Sequence, residues 1–200
     1  MTSVAGNNEK TCYEYDPKNR LISEKRQTGT GAARLVQKNA YNGDGLRVSR
    51  EEPDAQNPAG SSAVTNYFYR QGNLSYTTDA KGAVTSKYLY GNGDGVIARE
   101  ETLDDAKVYS FYTKDIKGST MSLLNENGQH AVSYVYDDFG KTDIKPAAGN
   151  TDRRGETNEI CYTGGVYDRT TEQYYLNARY YSPDGGNFLT QEQLPGNAGG

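Results

Sequence analysis

A tyrosine recurs along this chain at intervals of roughly 21 to 28 residues, at Tyr15, Tyr41, Tyr69, Tyr90, Tyr112 and Tyr136, each time ahead of a turn containing Gly or Asn. A period this short is a single supersecondary unit, too small to bury its own apolar face, so the units must stack on one another. Gly45, Gly72, Gly95, Gly118 and Gly140 each follow a marker tyrosine within about six residues, and Asn19 takes that place in the first unit. These are residue types that adopt positive φ at low cost.

Ahead of the turns, Tyr13-Glu14-Tyr15, Tyr67-Phe68-Tyr69, Tyr88-Leu89-Tyr90 and Tyr134-Val135-Tyr136 alternate with the period of a strand and put two tyrosines on one face. After them, Leu46-Arg47-Val48, Leu74-Ser75-Tyr76 and Val96-Ile97-Ala98 are short segments able to pair back as second hairpin strands. Further turns at Asp79 to Gly82, Asp104 to Lys107 and Asn125 to Gly128 lead into the next tyrosine strand. No window of about eleven residues keeps a helical apolar period. The expected fold is therefore all-β: tandem antiparallel β-hairpins forming a twisted, curved sheet ribbon or shell segment. Glu52 to Ser62 and Lys145 to Glu159, rich in Pro and Gly, read as long exposed loops. The second sets a soft boundary near Asn150, between a hairpin array over 1–150 and a distinct segment over 151–200. That segment is expected to pack on the array, because about 45 residues make only a marginal core alone.

Mean hydropathy is -0.90 and the apolar fraction only 34%, but 18 tyrosines and 4 phenylalanines supply large buriable surface. Tyrosine has an apolar ring and a polar hydroxyl, so the interior it builds tolerates polar company. The net charge of -4 is spread without a basic block, which argues against a nucleic-acid partner. No apolar run approaches the ~20 residues of a membrane span, and the first ten residues lack a signal-peptide pattern. Cys12 and Cys161 are too few for a disulfide framework. They read as free thiols, with a single bridge between them as the alternative.

The C-terminal part carries the most specific pattern: Tyr162-Thr163-Gly164-Gly165-Val166-Tyr167-Asp168, then Tyr174-Tyr175-Leu176-Asn177-Ala178-Arg179-Tyr180-Tyr181-Ser182-Pro183, then Asn187-Phe188-Leu189. It closely resembles the Rhs-associated core segment. Tyr15-Asp16, Tyr136-Asp137 and Asn42 to Val48 resemble the YD repeats that precede that core. The resemblance covers nearly the whole chain and implies a wall segment of a hollow β-shell, with a toxin or other effector domain enclosed or presented. It implies as partners the rest of a longer Rhs polypeptide or its cargo, and for the full-length protein a secreted or cell-surface location. It also marks Tyr162, Gly164, Tyr167, Asp168, Tyr174, Tyr175, Arg179, Tyr180, Tyr181, Pro183 and Phe188 as structural core-motif residues. Family shells commonly end in an aspartate-dependent self-cleavage element containing Asp-Pro-x-Gly. Here Asn187 stands where arginine is usual, Glu192 where aspartate is frequent, and no Asp-Pro-x-Gly follows. Autoproteolysis is therefore not assigned, and no catalytic residue, cofactor or metal ligand is expected.

His130, the one histidine, sits past a turn on an expected surface strand and lacks a triad context. Gly91 to Gly95 lacks the spaced carboxylates of a calcium loop. Asp104-Asp105 and Asp137-Asp138 are adjacent turn carboxylates, not a pair facing across a substrate. Arg179, amid aromatics, is expected to stack on rings or pair with Asp168. Two alternatives to the shell remain: a carbohydrate-binding or adhesion module using exposed tyrosines such as Tyr88 and Tyr90, and local self-processing by Asp184 or Glu192. Open sheet edges also invite self-association.

Overall fold

The computed structural model describes residues 2–6, 9–54, 60, 62–93, 95–147, 153–177 and 179–190. Strands β1 (Thr2–Gly6), β2 (Glu9–Tyr15), β3 (Leu21–Thr28), β4 (Arg34–Tyr41), β5 (Arg47–Glu52), β6 (Ala63–Arg70) and β7 (Asn73–Thr78) are followed by β8 (Val84–Tyr90), β9 (Val96–Leu103), β10 (Ala106–Lys114), β11 (Thr120–Leu124), β12 (His130–Tyr136) and β13 (Thr142–Pro146). Among the described residues these form one 13-stranded antiparallel meander in strict sequence order. The short helix α1 (Arg154–Thr157) and a 3-10 turn at Tyr162–Gly164 lead into a second sheet of β14 (Val166–Asp168), β15 (Gln173–Leu176), β16 (Arg179–Ser182) and β17 (Asn187–Phe188).

One turn chemistry recurs at both ends of the hairpins. Asp16, Asn42, Asp79, Asp115, Asn125 and Asp137 each accept on Oδ1 from the backbone N–H four residues on, at 2.8 to 2.9 Å. The residue three positions on has positive φ: Asn19, Gly45, Gly82, Gly118, Gly128 and Gly140 lie between 58° and 89°. This is an Asx turn closing on a left-handed residue, and it explains why Asp or Asn precedes Gly or Asn by three. The marker tyrosine sits at the bulge, where the register shifts at Glu14/Tyr15, Ala40/Tyr41, Phe68/Tyr69 and Leu89/Tyr90.

The marker hydroxyls also staple neighbouring units. Tyr41 Oη donates to Leu21 O at 2.7 Å, Tyr69 Oη to Arg47 O at 2.9 Å and Tyr136 Oη to Thr120 O at 2.7 Å. Tyr90 bonds the backbone of Leu74. Each partner lies at or near the start of the preceding unit's outgoing strand. The paired tyrosines face inward: Tyr13, Tyr67, Tyr88 and Tyr134 are buried, whereas Phe68, Leu89 and Val135 between the pairs are 40, 53 and 47% exposed on the other face. Of the tyrosines that sugar binding would use, Tyr88 is therefore inside and Tyr90 is half-buried against the same core.

The large sheet wraps around the small one. Gln173 and Tyr174 are neighbours in β15, yet Gln173 Nε2 donates to Glu24 Oε2 in β3 at 2.7 Å and Tyr174 Oη to Gly140 O beyond β12 at 2.9 Å. In a flat sheet β3 and β12 would lie nine strand spacings, about 43 Å, apart, whereas two layers packed on opposite faces of one strand stand roughly 20 Å apart. Only a curled sheet meets both side chains. Consistently, β14 and the first three residues of β15 are buried on both faces. The stretch read from sequence as an exposed loop from Lys145 to Glu159 is different: Lys145 and Pro146 end β13, and Arg154 and Asn158 are buried under the sheet. The centre of the other loop, residues 55–59, and the boundary at Asn150 lie outside the described residues.

Candidate functional site

The chemistry of this chain is concentrated where the C-terminal segment meets the concave face of the array. Asp168, at the end of β14, has no solvent exposure. Its Oδ2 accepts from Arg47 Nη1 at 2.5 Å, Gln37 Nε2 at 2.8 Å and Tyr180 Oη at 3.1 Å, and its Oδ1 from Arg50 Nη1 at 2.8 Å. Arg47 and Arg50, three residues apart, would face opposite sides of a regular strand, but the bulge at Ala40/Tyr41 leaves Val48 as an extra residue and brings both arginines to the inner face, just after the Asn42–Gly45 turn. Burial pushes the Asp168 carboxyl up, but the guanidiniums of Arg47 and Arg50 outweigh it and hold it below the usual carboxylate range. Arg47 Nε and Nη2 have no hydrogen-bond partner among the described residues. They are flanked by rings, with the guanidinium 4.5 Å from the centroid of Tyr67 and 4.8 Å from that of Tyr175.

The network extends along the seam. Arg50 Nη2 donates to Glu159 Oε1 at 2.6 Å, and Tyr67 Oη to Glu159 Oε2 at 3.3 Å. Glu24 is raised by burial even though Arg26 and Gln173 bond it. Further along, Arg99, fully buried, pairs with Glu101, which Thr157 also bonds. Tyr112 Oη donates to Asn158 Oδ1 at 2.7 Å, and Asn158 Nδ2 to Tyr134 Oη at 3.0 Å. Such a seam is specific more than adhesive, because each buried charge is costly unless its partner is in place.

The motif residues divide between this hub and an aromatic cluster at the turn end of the array. Tyr180 and Tyr175 join Asp168 and Arg47, the Tyr175 oxygen accepting from Arg47 N at 2.9 Å. Tyr162 packs its ring on Gly140 and stands 5.5 Å from Tyr136, 5.9 Å from Tyr174 and 6.5 Å from Tyr181. Tyr167 lies 5.0 Å from Tyr174. Tyr181 Oη donates to Phe139 O at 2.7 Å, and Tyr181 meets Phe188 edge-on at 5.4 Å. Gly164, with φ 74°, closes the 3-10 turn by donating to Cys161 O at 3.1 Å. Pro183 O accepts from Gly186 N at 3.2 Å in the β16–β17 turn. Of the two partners expected for Arg179, rings or Asp168, the structure gives it a ring: it stacks 3.8 Å from the Phe188 ring centroid, half-buried, and Asp168 is taken by Arg47 and Arg50. An arginine leaving β16 on its outer side cannot reach a carboxylate enclosed between the sheets.

The remaining candidates lie apart. His130 is exposed on β12 with Nε2 2.8 Å from Ser133 Oγ. Asp184 is exposed and pairs with Lys141 at 2.8 Å. Asp104 and Asp105 form a turn with φ 49° and 64°. Cys12 and Cys161 are free and buried, and burial pushes the Cys161 thiol up to about 12. No group of three or more potential metal ligands occurs among the described residues. Asp94 of the Gly91 to Gly95 run, and Glu192, lie outside them. Arg47, Arg50, Gln37, Glu24, Glu159 and Asn158 were not singled out by sequence. Nothing in their spacing along the chain marks them.

Over 138 residues, 68% of its length, the chain is 35% identical to the tRNA nuclease WapA of Bacillus subtilis. It belongs to the YD-repeat (Rhs) family. This YD-repeat chain is also 26% identical, over 99% of its length, to the double-stranded DNA deaminase toxin A of Burkholderia cenocepacia. Its fold matches that of the TcdB2–TccC3 crystal structure with a TM-score of 0.66 over 92% of the chain, at 18% identity. It matches the Tc holotoxin pore of Photorhabdus luminescens with a TM-score of 0.67 over 94%. No family model matches. The chain spans 6% of the length of WapA, 15% of the deaminase toxin and 9% of the TcdB2–TccC3 chain. No helix among the described residues is long and apolar enough to cross a membrane.

Proposed function

We propose that this chain is a non-catalytic wall segment of a YD-repeat shell that encloses or presents an effector domain within a longer, exported polypeptide. The observation that carries the reading is the inward tyrosine face of the meander, curled round β14 and β15 and closed by the Asp168 hub. A wall must hold its curvature without a deep apolar core. Hydroxyl staples between units and a charged keystone supply that at low hydrophobicity. WapA and the deaminase toxin are named for enzymatic activities and are many times longer than this chain, so in this reading such activity belongs to a separate effector part. The segment 151–200 acts as the closure of the array over 1–150.

Protease protection tests it. In a longer polypeptide containing this chain, an effector domain following it should resist added trypsin as long as the wall stays folded, and become susceptible when the wall is opened by Asp168→Asn. A domain cleaved at the same rate with and without an intact wall refutes enclosure.

A further inference from the structure

Two marker tyrosines depart from the staple pattern, and both departures lead to the C-terminal segment. Tyr112 gives its hydroxyl to Asn158, at the start of the docked stretch. Tyr15 gives its hydroxyl to Leu189 O at 2.9 Å, across 174 residues. Beside it, Leu189 N donates to Tyr180 O at 2.8 Å and Tyr180 N to Thr190 Oγ1 at 3.0 Å. Thr190 is 5% exposed, and Leu189, like Tyr15 and Tyr41, packs against the buried cluster that contains Tyr13, Leu21 and Tyr180. Tyr180 is itself held by its hydroxyl in the Arg47–Asp168 hub.

We infer that Tyr15 and Tyr180 form an exit anchor, which grips the chain at Leu189 and Thr190 and fixes the point from which any following polypeptide leaves the first hairpin. The grip uses the Leu189 main chain and one threonine hydroxyl, so it works whatever sequence comes next. A pull on the following chain passes through Tyr180 into the buried hub instead of peeling β17 from its edge. Tyr15 and Tyr180 are thus positioning residues. This deepens the shell reading, since an anchor matters where a further domain follows, but its test needs only this chain and stands apart from the protease experiment.

The test is residue-resolved amide hydrogen exchange on the whole chain. Tyr15→Phe should speed exchange of the Leu189 amide about fivefold to tenfold, as loss of one hydrogen bond implies, while amides of β5 to β7 keep their rates. Thr190→Val, nearly isosteric, should do the same to the Tyr180 amide. Tyr69→Phe, which removes an ordinary staple, should speed exchange near Arg47 and leave Leu189 unchanged. The anchor is refuted if Tyr15→Phe and Thr190→Val leave the Leu189 and Tyr180 amides at their wild-type rates. It is equally refuted if Tyr69→Phe accelerates them as much, since the effect would then be global destabilisation.

Discussion

Replacing Asp168 by asparagine keeps the shape of the side chain and removes one charge, which isolates what the hub contributes. The carboxylate is enclosed and takes four donors, from Arg47, Arg50, Gln37 and Tyr180. Asparagine offers one carbonyl oxygen, and its amide group would face guanidinium donors. Arg50 keeps Glu159 and Glu52, but Arg47, with no solvent exposure, loses its ion-pair partner. Breaking a buried pair in this way costs about 3–5 kcal/mol. For a domain of this size each kcal/mol lowers Tm by about 2–4 °C, so a fall of roughly 6–20 °C is expected. Urea unfolding followed by tyrosine fluorescence and far-UV circular dichroism measures it, with Lys145→Ala, which opens the exposed pair to Asp143, expected to change stability by less than about 1 kcal/mol. The sign with pH is fixed too. Asp168 is depressed in the folded state, so its contribution is fully present above the unfolded-state value near ~4 and is lost as pH falls through the folded one. The difference between wild type and Asp168→Asn should be flat above about pH 5 and shrink in acid. A midpoint shift no larger than that of Lys145→Ala, or a difference that grows in acid, would sink the keystone argument.

Three further outcomes are expected. Gly140→Ala combines a φ of 89° with a Cβ that would lie 2.5 Å from the Tyr162 ring, so it should cost about 2 kcal/mol or more in urea, whereas Gly43→Ala, with nothing within 4 Å of its Cβ, should stay within about 0.5 kcal/mol. Arg179→Ala loses its stacking on Phe188 and should cost about 0.5–1 kcal/mol more than Arg34→Ala at an exposed site; equal urea midpoints would show that the stacking contributes nothing. Cys161, fully buried with its thiol pushed up to about 12, should be inert to a thiol reagent at pH 8 and react once urea unfolds the chain; fast labelling in native buffer would contradict its placement.

Much of the architecture is local and so was legible in the chain. The Asp or Asn three residues before Gly or Asn dictates six of the turns through its own side chain, and the Tyr-x-Tyr alternation sets strand parity, so an antiparallel meander with tyrosines on one face follows from neighbours in sequence. The C-terminal motif was likewise visible as a block. Its internal roles were not: Arg179 sits among aromatics in sequence, which left stacking on rings and pairing with Asp168 both open, whereas the cation that pairs with Asp168 is Arg47, next to a turn more than a hundred residues earlier. Which face of β16 looks into the seam depends on how far the large sheet curls, and curvature is the sum of many small twists and bulges that no single residue announces.

What the sequence by itself determined is thus the repeat, its turns and its all-β hairpins, because each depends on contacts within a few residues. What only the tertiary structure decided is the closure: that the tyrosine faces turn inward, that β14 and the start of β15 lie inside the curl, and that one aspartate gathers donors from β4, β5 and β16. Those contacts join positions 12 to 131 residues apart, and a buried charge finds its partners through the shape of the whole sheet, not through spacing along the chain.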